Sequence, residues 1–239
     1  MVKCRFVLRC VIVILFFSQF TAYAQEGTLN IRNVRVMSDE PHFGVNSMIK
    51  DSLGYLWIGT ASGLLRYNGY NTVVYKKEGV TAKDALYNKI WCIVMGPDKN
   101  LWLGTFVGLL CFDLSTESFV QAPIAKSDVF ENEIHKMHFD AEGNLWFANH
   151  ENFGVFRKNA NEKYEITTWR DFENVNRDEF IPIRYIAEDK YGDIWIAKSK
   201  GISKLSVNTR GKVVYDTNSG INDLLKQLAI LEISVKIRF

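Results

Sequence analysis

Tryptophan recurs along this chain at a nearly constant interval. Trp57, Trp102, Trp146 and Trp195 are separated by 45, 44 and 49 residues, and the sequences around them agree. The shared pattern is D-x-x-G-x-Φ-W-Φ-G-T, where Φ is an apolar residue, followed by a second glycine a few residues later. A period of this length is typical of repeat architectures, so the chain is expected to fold as a series of similar units.

Each part of the pattern predicts a turn or a strand. In the first unit Asp51 and Gly54 are turn formers, because aspartate accepts backbone N–H groups and glycine adopts positive φ. Residues 56–60 read LWIGT and alternate as a strand does. The second glycine is expected to open the next turn in every unit. In chain order these glycines are Gly63, Gly108, Gly154 and Gly201.

Further apolar segments complete each unit. One precedes the aspartate turn, as at residues 90–95, and another follows the third strand, as at 72–75 and 117–120. Four short antiparallel strands per unit of about 45 residues are typical of a β-propeller blade. Helical repeats would space apolar residues three and four apart, which these segments do not do. We therefore predict an all-β fold of four-stranded propeller blades, about four of them complete, with a truncated fifth.

The amino terminus has the pattern of a secretory signal peptide. Lys3, Arg5 and Arg9 precede an apolar stretch at 10–17, and residues 22–24 read AYA, a cleavage site. An uncleaved membrane anchor is the alternative, but the apolar stretch is far shorter than the ~20 residues of a spanning helix. The sequence therefore predicts an exported, periplasmic protein with no membrane span after cleavage.

Charge and composition exclude some partners. The chain has 29 basic and 27 acidic residues, and removal of residues 1–24 takes away three basic residues, which leaves a net charge of −1. Nucleic acids and anionic membrane surfaces need a clustered basic excess, so neither is expected as a partner.

Two cysteines remain after residue 24, Cys92 and Cys111. They fall on the first and third strands of the second unit, about 9.6 Å apart at the usual strand spacing, which is beyond disulfide reach. Buried free thiols are therefore predicted.

The repeat divides the chain into seven segments. They are a signal peptide (1–24), an amino-terminal strand (25–42), blade 1 (43–79), blade 2 (80–122), blade 3 (123–172), blade 4 (173–217) and a truncated start of blade 5 (218–239).

The stretch from Asp51 to Tyr67 closely resembles the two-component regulator propeller repeat, which is found in the exported sensor region of bacterial hybrid two-component regulators and sensor histidine kinases. The resemblance implies a propeller that senses carbohydrate fragments, and it implies a homodimer. The second unit departs from the pattern with Gly96 and Lys99 in place of Asp and Gly, and the third and fourth replace Gly-Thr with Ala-Asn and Ala-Lys. We interpret these departures as ordinary drift between repeats.

Family members continue into a membrane helix, a kinase and output domains, for which this chain has no sequence. A fifth tryptophan would be due near position 240, and the chain stops at Phe239. The strand at residues 29–36 would normally complete the last blade of a closed ring. These observations lead to the hypothesis of a truncated or frame-shifted fragment.

Catalytic and metal chemistry are not expected from the residues. His135 and His138 lie three apart on a predicted strand, which puts them on opposite faces, so they cannot chelate one metal together. The repeated aspartates are explained as turn formers. No nucleophile motif, P-loop or dinucleotide fingerprint is present. We therefore predict no catalytic residue, no metal and no cofactor.

Binding is expected on the face where the loops vary. Strand direction alternates, so the loops between blades share a face with the turns from second to third strands. The position eleven residues before each tryptophan lies at this face and supplies the candidate ligand-binding residues Asn46, Trp91, His135 and Arg184. The position nine residues before is expected to be core, with Met48, Ile93, Met137 and Ile186. The alternative for the first set is that they are ordinary strand-end residues.

The sequence thus predicts the ligand-sensing propeller of a two-component sensor, without kinase or output domains and with an extracytoplasmic oligosaccharide as its ligand. A free-standing periplasmic propeller that binds another protein is the alternative. A propeller lyase or hydrolase is the third possibility.

Overall fold

The computed structural model describes residues 44–79, 81–122, 133–150, 152–158, 164–174, 183–198, 201–207 and 212–216. The predicted signal peptide, amino-terminal strand and truncated fifth blade lie outside the described residues.

The described residues contain sixteen β-strands and little helix. The strands are β1 (Val45–Lys50), β2 (Leu56–Thr60), β3 (Gly63–Tyr67), β4 (Thr72–Tyr75), β5 (Ile90–Met95), β6 (Leu101–Thr105), β7 (Gly108–Asp113), β8 (Ser118–Val120), β9 (Lys136–Phe139), β10 (Leu145–Ala148), β11 (Phe153–Lys158), β12 (Tyr164–Thr168), β13 (Ile183–Glu188), β14 (Ile194–Lys198), β15 (Gly201–Val207) and β16 (Val213–Asp216). The helical segments are α1 (Ala82–Tyr87) and a 3-10 turn at Trp169–Asp171. No helix in these ranges has the length and apolar character needed to cross a membrane.

The strands form four antiparallel sheets, each from four consecutive strands. We call them blade 1 (β1–β4), blade 2 (β5–β8), blade 3 (β9–β12) and blade 4 (β13–β16). The first strands of successive blades contact one another, β1 with β5, β5 with β9, and β9 with β13. The predicted all-β fold of four-stranded propeller blades is confirmed, and the expected strands at 72–75 and 90–95 have the predicted bounds.

The repeated aspartate joins the first turn of a blade to its tryptophan. In blade 3, Asp140 Oδ1 accepts the N–H groups of Glu142 and Asn144 at 3.1 and 2.8 Å, which closes the turn. Its second oxygen, Oδ2, accepts the indole N–H of Trp146 at 2.8 Å. The same indole contact measures 2.8 Å in blades 1 and 4, between Asp51 and Trp57 and between Asp189 and Trp195. One carboxylate therefore fixes both a turn and a core side chain.

Blade 2 keeps the same contact with a different residue. Gly96 occupies the aspartate position, and Asp98, two residues later, receives the Trp102 indole N–H at 3.1 Å to Oδ1 and 3.3 Å to Oδ2. A Cβ at position 96 would overlap both the Asp98 carboxylate and the indole nitrogen. Lys99 takes the positive φ, 62°, that glycine takes elsewhere. The glycine thus makes room for a relocated acceptor, which gives this departure a structural reason.

The repeat tryptophans of blades 1, 2 and 3 pack where successive blades meet. The Trp57 ring lies 5.4 Å from the Phe112 ring of blade 2, and the Trp102 ring lies 5.3 Å from the Phe139 ring of blade 3. Trp146 is buried in one cluster with Ile186 of blade 4. All three tryptophans are at most 2% exposed, so the core lies mainly between blades.

The assignment of Gly154 to a turn is wrong. Trp146 pairs with Val155 and Ala148 pairs with Phe153, so residue 152 holds the turn position that glycine holds in the other blades. Gly154 lies inside β11 opposite Phe147, where a Cβ would be 2.6 Å from the carbonyl oxygen of Thr167. This glycine therefore permits a close strand approach and does not form a turn.

The expectation that Met48 is a core residue is also wrong. Met48 is 61% exposed, whereas Ile93, Met137 and Ile186 are buried. Each of those three packs against the tryptophan cluster of the preceding blade. No blade in the described residues precedes blade 1, so Met48 has no such cluster to contact.

The two cysteines are free and buried, as the sequence predicts. Cys92 pairs with Gly104 and Cys111 pairs with Trp102, so β6 separates them. Burial raises the pKa of the Cys92 thiol to about 12 and raises the pKa of Cys111 as well, which makes both thiols poor nucleophiles.

Candidate functional site

The first strands of the four blades begin around one cavity of about 320 Å³. The four predicted binding residues all line this cavity. They are Asn46, Trp91, His135 and Arg184, and they are joined there by Lys136 and His150. The structure thus brings together residues that lie as far as 138 positions apart in the chain.

β-Bulges place three of these side chains. In β1 the pairing with β2 shifts between Val45 and Ser47, so Asn46 is an extra residue in the ladder. The same shift occurs around Trp91 in β5 and around Arg184 in β13. A bulge turns a side chain away from the regular alternation of the strand, and bulges are common beside functional sites. The candidate residues are therefore oriented by an irregularity repeated in three blades.

Blade 3 achieves a similar placement for His135 just before β9. The N–H of Ile134 donates to the carbonyl oxygen of Thr105 in blade 2 at 2.9 Å, and the N–H of His135 donates to that of Ala148 in its own blade at 2.9 Å. Two consecutive residues are thus held by two different blades, which fixes the backbone at the cavity wall.

Aromatic rings form one part of the wall. The Trp91 and His135 rings lie 5.1 Å apart, and the His135 and His150 rings lie 4.3 Å apart. Among the described residues, the buried indole nitrogen of Trp91 has no hydrogen-bond partner. An unpaired buried N–H is costly, so this donor lacks an acceptor that the described residues do not supply.

The remaining two predicted residues differ in their contacts. The Asn46 side-chain amide donates to the carbonyl oxygen of Ile90 at 2.8 Å, a contact that joins blade 1 to blade 2. Arg184 is exposed at the rim, and the structure gives its guanidinium no hydrogen bond within the described part of the chain. Asn46 therefore has a structural contact, and Arg184 is available to an anionic or hydroxyl-bearing ligand.

Glu133 forms a cluster with His135 and His150, the two histidines that line the cavity. Glu133 Oε1 lies 3.1 Å from His135 Nε2 and 2.9 Å from His150 Nε2. The His135 Nε2 atom is buried and makes no hydrogen bond in the described residues. One carboxylate oxygen and two imidazole nitrogens, all within 4.8 Å of one another, are a set that could hold a metal ion.

His138 lies elsewhere, as its distance of three residues from His135 predicts. Its Nε2 is 4.0 Å from Glu188 of blade 4, and burial lowers the pKa of its imidazole. Asp51, Asp140 and Asp189 bind their own turns and tryptophans, so the repeated carboxylates do not form an acid/base pair in the cavity.

Glu133 and His150 were not predicted from the sequence. His150 follows Ala148 by two residues, and Ala148 accepts the backbone N–H of His135. If β9 and β10 are paired with Trp146 opposite His138, residue 150 lies near His135. The pairing of two strands therefore predicts that the two histidines meet, whereas the spacing of histidines along one strand does not.

Comparison with known proteins agrees with this architecture. The chain is 26% identical over 184 residues to Histidine kinase P4 of Formosa agariphila, a match that covers 72% of this chain and 13% of that protein. The chain thus spans about one eighth of the length of this relative.

Two solved structures share the fold. An extracellular domain assigned to a hybrid two-component system of B. thetaiotaomicron has a TM-score of 0.56 at 20% identity, over 72% of this chain and 21% of that one. A catalytically inactive virginiamycin B lyase of Staphylococcus aureus, solved with quinupristin, has a TM-score of 0.53 at 12% identity, over 74% of this chain and 57% of that one. At these identities the likeness concerns the fold alone.

The family model described as two component regulator propeller matches residues 85–106, which include β5 and β6 of blade 2. The matched segment contains the bulged Trp91 and the tryptophan of the repeat, Trp102. The match, the histidine kinase relative and the shared fold confirm the predicted resemblance of this chain to the two-component regulator propeller family.

Proposed function

We propose that this chain is the ligand-sensing propeller of a two-component system and that it recognises a carbohydrate outside the cytoplasm. The observation that carries the proposal is the cavity at which all four blades place a side chain from their first strand or the residue just before it. The proposal assigns the chain the binding step and not phosphoryl transfer, since its described residues form propeller blades.

The chemistry of the cavity is suited to a sugar. The partly exposed ring of Trp91 can stack on the C–H face of a sugar ring. Arg184 offers hydrogen-bond donors at the rim. A volume of about 320 Å³ is at the lower end for small-molecule sites, which favours the end of an oligosaccharide over an internal stretch.

Calorimetric titration of the protein with a panel of oligosaccharides tests the proposal. Arg184→Ala should weaken the binding of a glycan about tenfold or more, because it removes charged hydrogen-bond donors from an exposed position where folding is unaffected. Tyr185→Ala is the matched control, since Tyr185 is the exposed neighbour in β13 and does not line the cavity.

Two results would count against carbohydrate sensing. One is that no glycan in the panel binds, and the other is that both variants lose affinity equally, which would point to a general effect on blade 4.

Export is part of the same proposal. It rests on the basic and apolar pattern of residues 1–24. Amino-terminal sequencing of the protein recovered from the periplasm should begin at Gln25, and recovery of a protein that begins at Met1 would contradict cleavage.

A propeller lyase or hydrolase is the second candidate, and the cluster that Glu133 forms with the cavity-lining His135 and His150 is the observation that favours it. The two candidates differ in a simple assay. If a glycan that binds is also cleaved, and Glu133→Gln abolishes cleavage while binding remains, the chain is an enzyme.

A further inference from the structure

We propose that Glu133 and the cavity-lining His135 and His150 of blade 3 bind a divalent zinc-type metal ion. The inference goes beyond the proposed sensing of a carbohydrate and does not depend on it, because the three residues and their geometry define the site without a sugar.

The two distances from the Glu133 carboxylate are close to those between ligands of a zinc site, and all three ligand atoms lie within 4.8 Å of one another. Zinc lies about 2.0–2.2 Å from imidazole nitrogen and carboxylate oxygen, so two ligands of a tetrahedral ion are about 3.3 Å apart. Glu133 Oε1 is 3.1 Å from the His135 nitrogen and 2.9 Å from the His150 nitrogen. A small adjustment of side chains would therefore admit the ion, and the His150 side chain, 64% exposed, has room to make it.

The fold holds two of the three ligands in place before any ion arrives. Glu133 and His135 flank Ile134, which is fully buried and hydrogen-bonded to Thr105 of blade 2. In an extended segment residues two apart point to the same side. His135 is also hydrogen-bonded through its backbone to Ala148, and the next hairpin residues carry His150 to the same place. This preorganisation lowers the entropic cost of assembling the site.

The donor set selects the class of ion. Two imidazoles and one carboxylate suit zinc and its first-row neighbours, and three protein ligands leave a fourth position for water or another ligand. Ca²⁺ and Mg²⁺ prefer several oxygen ligands, of which this set has one. Lys136 and Arg184 line the same cavity, so the site has little negative charge to hold a hard cation.

The cluster also has an explanation without a metal. Glu133 is close enough to both imidazoles for favourable electrostatic interaction, and such an arrangement needs no ion. The two explanations differ in their response to zinc, which only the metal site binds with one-to-one stoichiometry.

Titration of the full chain with zinc chloride, after treatment with a chelator and without a polyhistidine tag, tests the proposal in the absence of any sugar. We expect one site in the wild type. Loss of a partner that only orients a ligand costs 10–100-fold in metal affinity, so loss of a ligand itself should cost about 100-fold or more. Glu133→Gln, which keeps the side-chain shape, and His150→Ala, at an exposed position, should both show this loss.

His138→Gln is the matched control, because it removes a histidine of the same blade that lies outside the cluster. It should bind zinc as the wild type does. The proposal is overturned if the wild type shows no single zinc site, or if His138→Gln weakens zinc binding as much as His150→Ala. Circular dichroism melting curves of the variants establish that each one is folded. Neither outcome bears on glycan binding, so the two proposals fail separately.

Discussion

Removal of the Asp140 carboxylate should destabilise the protein by about 3 kcal/mol. Trp146 is 1% exposed, and its indole N–H would be left buried without its acceptor, a loss of about 1–3 kcal/mol. The two backbone N–H groups of the turn that also donate to Asp140 lie nearer the surface, where water can replace the carboxylate as acceptor. Each of these hydrogen bonds therefore contributes about 0.5 kcal/mol. Asp140→Ala loses these three hydrogen bonds and a fourth, which Asp140 Oδ2 accepts from the Asn144 side-chain amide at 3.0 Å.

A double-mutant cycle separates the indole contact from the turn. In a Trp146→Phe background the indole N–H is already absent, so Asp140→Ala should cost only the turn contribution of about 1 kcal/mol. The coupling energy between the two positions is therefore expected to be about 2 kcal/mol. Urea unfolding followed by far-UV circular dichroism measures it, since this signal comes mainly from the backbone and does not require tryptophan fluorescence.

Asp140→Asn gives an intermediate case. An amide has one acceptor oxygen and an NH₂ donor, so it can serve the turn or the indole but not both, and about half the loss is expected. If Asp140→Ala costs the same with Trp146 as with Phe at that position, the aspartate is a turn former and the link to the core has no energetic meaning.

Two further predictions concern the repeat. The pKa of Asp189 lies below its usual value because the carboxylate accepts the Trp195 indole N–H and two turn amides. The stabilising contribution of this carboxylate is therefore complete above about pH 4 and is lost as the pH falls through its lowered pKa in the folded state. The melting temperature of Asp189→Asn should be below that of the wild type at neutral pH, and this difference should become smaller in acid. Gly104→Ala should cost about 1–3 kcal/mol, because its Cβ would lie 2.6 Å from the backbone oxygen of Ile134. Gly44→Ala, with no atom within 4 Å, is the control in urea unfolding, and equal stability of both alanine variants would contradict the packing explanation.

The strands could be predicted from the sequence because the signals that set them are local. Alternation and turn residues gave β4 and β5 at their observed bounds. The error at Gly154 arose because two glycines at similar spacing can have different causes, a positive φ in one blade and a close strand approach in another. Only the pairing of Ala148 with Phe153 distinguishes the two.

The site was predicted in part for a related reason. The four predicted residues occupy the same position in successive repeats. Because equivalent positions of propeller blades face the same region, all four line the cavity. The bulges that orient Asn46, Trp91 and Arg184 leave no mark in the spacing of residues, because they depend on the partner strand. Glu133 and His150 belong to blade 3 alone and have no repeated signal, so their meeting at His135 emerges only in three dimensions.

The shared use of one carboxylate by a turn and a tryptophan has a consequence for protein engineering. A blade is usually treated as a module that can be exchanged at its loops, and the first turn is an attractive place to cut. In blades 1, 3 and 4, however, the acceptor lies six residues before the indole that it holds, while in blade 2 it lies four residues before. A chimera joined inside that interval could inherit two acceptors or none, so grafts should carry the whole segment from the turn through the tryptophan.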